Sequence, residues 1–155
     1  DVKLIERRID MSTKELQEKI IANMRRWQEV EDATTIQMSE IISKTKNPLI
    51  RMVMEIIRED SINHHRVQEF IANTLESETV SFSPDEFVQV WDLIEKHIKT
   101  EKRAEQYAEE ALSALKGKKM VVQEYLLSYL LTDEAKHDKM LENMEMMKRG
   151  LSSVT

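Results

Sequence analysis

Apolar residues recur along the chain at alternating steps of four and three in four separate stretches, the period of an amphipathic α-helix. The first stretch runs through Ile20, Met24, Trp27, Thr34, Met38 and Ile41, and the second through Ile50, Val53, Ile57, Val67 and Ile71. The third runs through Phe87, Val90, Ile94, Ala104, Ala108, Ala111 and Leu115, and the fourth through Leu127, Leu130, Leu141 and Met144. Helix-breaking and capping residues fall between them. Ser12-Thr13-Lys14-Glu15 and Ser83-Pro84-Asp85-Glu86 read as capping boxes, where a serine and a glutamate three residues on satisfy each other's free backbone N–H groups. Asn47-Pro48 closes one helix and opens the next. Gly117 and Gly150 sit where C-terminal caps belong. The pattern predicts helices over 12–45, 48–73, 84–116 and 119–149. Residues 1–11 are expected to add a short turn, 77–83 to form an extended connector, and 151–155 a loose tail. Four amphipathic helices of similar length, joined mostly by short loops, predict an all-α antiparallel four-helix bundle, one domain over residues 1–155.

Each apolar seam is interrupted near its middle. The interrupting residues are Glu31, then Asp60 and His64, then His97 and Glu101, then Glu134 and His137. The midpoints of antiparallel helices meet at one level, so these seven side chains are expected to converge inside the bundle. His65, Glu59 and Glu105 flank the layer and are expected outside it. A single Glu or His on a seam is ordinarily a satisfied core or edge residue, since structural ion-pair networks use the same side chains. Seven in register on four helices are harder to explain that way. An unpaired buried ion costs several kcal/mol even after relaxation, and the four carboxylates would also repel one another. No Lys or Arg lies on the seams, so protons or metal cations must offset the charge. Carboxylate with imidazole is a ligand set for iron, manganese or zinc. Two divalent cations would neutralise four carboxylates and leave the histidines as neutral ligands.

Composition narrows the alternatives. The net charge is −6, with no long basic stripe, which argues against a nucleic-acid partner. There is no cysteine, which excludes disulfides, thiol catalysis and Cys-based zinc or iron–sulfur sites. No apolar run approaches the length of a membrane span, and no signal-peptide core opens the chain, so a cytoplasmic protein is expected. The ten methionines read most simply as adaptable core filler, and Trp27, one turn before Glu31, as a roof over the polar layer.

Glu on the first helix, Glu-x-x-His on the second, Glu on the third and Glu-x-x-His on the fourth is the di-iron carboxylate pattern. Glu31, Glu101 and Glu134-Ala-Lys-His137 fit it, and over about residues 20–148 the chain resembles the ferritin-like superfamily, within it the rubrerythrin-type branch without a rubredoxin domain. The two halves look like a repeat, Glu31 preceding His64 by 33 residues and Glu101 preceding His137 by 36. The resemblance implies iron, two ions per chain, or manganese, and either iron handling or redox chemistry with dioxygen or peroxide. It would make Glu31 and Glu101 terminal carboxylates, His64 and His137 terminal imidazoles, and Glu134 a bridge. The second helix departs from the pattern: Ser61 stands in the bridging-Glu position, with Asp60 beside it as a substitute and His97 as a further ligand.

Two topologies stay open. A ferritin-like crossover needs the chain between the second and third helices to span the bundle. It fits if the second helix stops near residue 71, leaving about 13 steps of ~3.3 Å to cover ~35 Å. If that helix runs to residue 75, an up-down-up-down bundle is the better reading; the ligand pattern leans to the crossover. Hemerythrin-like ligation in an up-down-up-down bundle is the other metal reading; His97 and Glu101 suit it, but four histidines fall short of that family's usual set. The function expected is metal binding with di-iron oxidoreductase chemistry, peroxidase- or ferroxidase-like. The alternative is a non-catalytic bundle, a binding or structural module with a degenerate or mononuclear site. A homodimer interface could involve residues 1–11.

Overall fold

A computed structural model of the chain describes residues 12–77, 80 and 83–152. It contains four helices, α1 (Thr13–Lys44), α2 (Pro48–Glu76), α3 (Pro84–Leu115) and α4 (Val121–Ser152), and no strand among the described residues. The all-α reading therefore stands. The expected turn at residues 1–11 lies outside the described residues, as do 78–79 and 81–82 of the connector and 153–155 of the tail.

Local chemistry sets the helix ends. Ser12 and Ser83 both form the expected capping boxes, with Glu15 and Glu86 as reciprocal partners. The Ser12 backbone and hydroxyl donate to the Glu15 carboxylate and hold it below the usual carboxylate range. The Asn47 side chain accepts from the N–H groups of Leu49 and Ile50, and Pro48 takes the first helical position. Gly117 has φ +76°, the left-handed conformation that lets the chain leave α3 just after Lys116. The expected stop at Gly150 is not used. That residue lies inside α4, and Leu151 and Ser152 continue the helix instead of opening a loose tail. A single glycine weakens a helix by about 1 kcal/mol, and no proline follows Gly150 to force an end.

The chain divides into two compact units, Asp1–Val80 and Ser81–Thr155. Each is an antiparallel helical hairpin. In the first, Arg51 near the start of α2 donates to the Ile42 carbonyl near the end of α1, while Arg25 reaches Glu76 at the far end of α2. In the second, Trp91 near the start of α3 lies under Lys148 near the end of α4, with the ammonium 4.1 Å from the ring centroid. Phe87 meets the same indole edge-on at 6.3 Å.

In the first hairpin most of the buried line is offset from the seam read in the sequence, whereas the buried residues of α3, Phe87 and Ala108, lie on it. In α1 the buried residues are Gln28, Glu31 and Ile42, whereas Trp27 and Ile41 are exposed. In α2 they are Ser61, Gln68 and Ala72, whereas Ile57 and Val67 are exposed. One residue is a 100° turn of a helix, so a hairpin contact line and an apolar seam can sit side by side on one helix. Trp27, expected as a roof over the polar layer, is 52% exposed and lines an open cavity of about 250 Å³ with Met24, His64, Val67, Gln68 and Ile71.

Candidate metal centre

The first hairpin is held by polar side chains. Four of the six buried residues of α1 and α2 are Gln28, Glu31, Ser61 and Gln68. Gln28 Nε2 donates to the His65 carbonyl at 3.3 Å, and Arg25 donates to Gln28 Oε1 at 3.1 Å. Gln68 Nε2 donates to Glu31 Oε1 at 3.3 Å, and His64 Nδ1 lies 3.3 Å from the same oxygen. Glu31 is only 6% exposed, so an unmet carboxylate there would be costly; the amide and the imidazole meet it. His65, expected outside the layer, turns to Asp32, with Nδ1 2.8 Å from Oδ1. Asp60 is half-buried and joins no group of three ligand-type side chains among the described residues.

The second hairpin carries a different arrangement. Glu101 comes from α3, and Glu134 and His137 come from one face of α4, three residues apart. One ligand atom from each lies within 4.8 Å of the other two. His137 Nδ1 is 3.5 Å from Glu101 Oε2 and 3.7 Å from Glu134 Oε2. His97, one turn before Glu101, places Nε2 2.7 Å from Glu101 Oε1. The Glu101 side chain is 12% exposed, and the cluster borders an open cavity of about 240 Å³ lined by His97, Glu101, His137, Met140 and Leu141. Leu130, expected on the buried side of α4, is exposed, as is Met140, while Leu131 and Leu141 are half-buried.

Charge explains what this cluster lacks. Glu101 and Glu134 face each other with no Lys or Arg in the group. The hydrogen bond from Glu134 holds the Glu101 carboxyl below its usual range, helped by His137 and His97 and opposed by burial. The reciprocal bond, burial and the Glu101 charge push Glu134 up, so Glu134 keeps the shared proton longest. A divalent cation could replace that proton. Metal–oxygen and metal–nitrogen bonds of about 2.0–2.2 Å set donor atoms about 3–3.5 Å apart, which small side-chain rotations here would reach.

The seven seam residues thus fall into two sets: Glu31, Asp60 and His64 on the first hairpin, and His97, Glu101, Glu134 and His137 on the second. Within the first set Glu31 and His64 meet; within the second all four do. Three residues beside the ligands lie off the seams. Gln68 lies off the apolar stripe, and only its spacing of one turn from His64 hinted at its role. Asp133 Oδ2 lies 3.7 Å from His137 Nε2, where a carboxylate could orient a ligating imidazole. Glu105 is raised by burial first and then by the charges of Asp138 and Glu109, so a second carboxyl pair adjoins the cluster. No protein-family model, curated protein or solved structure matches the chain.

Proposed function

We propose that the protein binds a redox-active divalent metal, iron or manganese, through carboxylate and imidazole ligands, with Glu101, Glu134 and His137 holding the first ion. The observation that carries this reading is the pair of facing carboxylates with an imidazole against both and no cationic side chain in the group. His97 would add a nitrogen or orient Glu101, and Asp133 would support His137. Glu31, His64 and Asp60 would contribute ligands for a second ion on the first hairpin. When bound, the metal would supply electron transfer to dioxygen or peroxide, or the protein would handle iron itself. The chain's own residues would fix the ions and balance their charge.

The ferritin-like crossover between the second and third helices loses its support: α2 runs to Glu76, and from Glu76 to Pro84 the chain has eight steps, or ~26 Å, whereas the 29 residues of α2 span ~43 Å.

Metal binding to these groups couples to stability, because ligand pairing replaces carboxylate repulsion. Free metal at about 100 times its dissociation constant contributes about 2.7 kcal/mol. That is roughly 5–10 °C in Tm for a chain of this size. Chelation of metal-loaded protein at pH 7 should lower Tm by that amount, and should leave the Glu134→Ala variant unmoved. A wild-type Tm indifferent to chelator would favour the second reading, a helical module without a working site, to which buried Ser61 on α2 already points.

A further inference from the structure

Met140, Met144, Met146 and Met147, read in the sequence as core filler, are all exposed on α4, and Met140 is the most exposed of them at 63%. Met140 stands three residues after His137, on the same face of the helix. It lines the open cavity of about 240 Å³ together with His97, Glu101, His137 and Leu141. A thioether therefore borders the same open space as three side chains of the candidate centre. Sulfur is the most easily oxidised group at that opening, and the chain has no cysteine to compete for an oxidant. Met146 is 58% exposed on the same helix, but it stands on another face and does not line that cavity.

We propose that Met140 guards the centre: peroxide that enters the cavity of the metal-loaded protein gives an oxygen to the Met140 sulfur before it reaches the imidazoles. This rests on the metal-binding reading above. In the net step the O–O bond of hydrogen peroxide breaks and an S–O bond forms. Sulfur gives up two electrons, and the other oxygen leaves as water with both protons. That leaving oxygen is where a cation on Glu101, Glu134 and His137 helps, as a Lewis acid beside the thioether. The product, methionine sulfoxide, can be reduced back. Oxidation of His97 or His137 would instead remove a nitrogen donor from the centre.

Peptide mapping by mass spectrometry tests this on the whole chain, loaded with iron, oxidised in air, freed of unbound ion and then given hydrogen peroxide. Met140 should gain oxygen at least about ten-fold faster than Met146, the advantage of standing beside a positioned reactant. In chelator, without iron, the two should oxidise at similar rates, as their exposure dictates. Met140→Leu should bind iron as wild type does, yet lose that capacity after fewer additions of peroxide, with oxygen appearing on His97 or His137. Met146→Leu should behave as wild type. Met140 that oxidises no faster than Met146 in iron-loaded protein, or just as much faster without iron, overturns the proposal. So does a Met140→Leu variant that keeps its iron as long as wild type. Failure of the metal reading looks different: wild type then retains no iron, or as much after Glu134→Ala, and the guard role falls with it.

Discussion

At the scale of single residues, the chemistry turns on who holds a proton. In the metal-free protein Glu134 is pushed up and Glu101 held down. The raised group stabilises the fold in its protonated form, and that contribution is lost as pH rises through the raised value. The lowered group stabilises the fold as the anion, and that contribution is lost only as pH falls through the lowered value. The pair is therefore best accommodated between the two values. Metal-free protein should gain Tm as pH falls from neutral toward the Glu134 value. Glu134→Gln supplies a permanent donor to Glu101, as Gln68 does for Glu31, and should flatten that slope. Melting curves in chelator across this range check it; parallel profiles for wild type and variant would mean that the carboxyl pair does not carry the proton. Glu134→Ala should also abolish metal binding at the second hairpin, while Glu105→Ala, one turn past Glu101 on α3, should largely spare it; equal losses would mean that the ligand face is drawn wrongly.

At the scale of the elements, the helices were readable because their ends are local chemistry. Ser12, Asn47 and Ser83 cap as expected, and replacing Ser83 by Ala should cost about 1 kcal/mol in a denaturant titration. The two glycines separate a true stop from an apparent one. Gly117 has positive φ, so Gly117→Ala should destabilise by about 1–2 kcal/mol although nothing lies within 4 Å of the added Cβ. Gly150 is helical with equal space around it, and Gly150→Ala should stabilise by up to about 1 kcal/mol. The face buried by the first hairpin was harder to read, whereas α3 buries Phe87 and Ala108 as expected. A seam of steps four and three leaves its neighbouring lines within one residue, and the buried line of the first hairpin is polar at Gln28, Glu31, Ser61 and Gln68. Apolar periodicity shows Glu31 as an interruption of the stripe and carries no sign of Gln28 and Gln68 beside it, while Ser61 stood out only as a departure from the di-iron pattern. Glu134 and His137 were visible because they stand three apart on one face between apolar residues. Asp133 and Asp138 were hidden because they adjoin that face.

At the scale of the whole molecule, each hairpin presents large apolar residues that its own two helices do not cover. Trp27, Ile41, Ile57 and Val67 on the first and Val90, Leu130 and Met144 on the second belong to the seams read in the sequence. No helix among the described residues is long and apolar enough to cross a membrane, so these seams are not membrane spans. The most direct test of the metal-binding reading is elemental analysis of the chain after anaerobic loading with Fe(II) and removal of free ion. Wild type should retain at least one iron per chain, and two at saturation, with none held at the second hairpin after Glu134→Ala or His137→Ala. Wild type that retains no iron, or variants that retain as much as wild type, would contradict a metal centre on Glu101, Glu134 and His137.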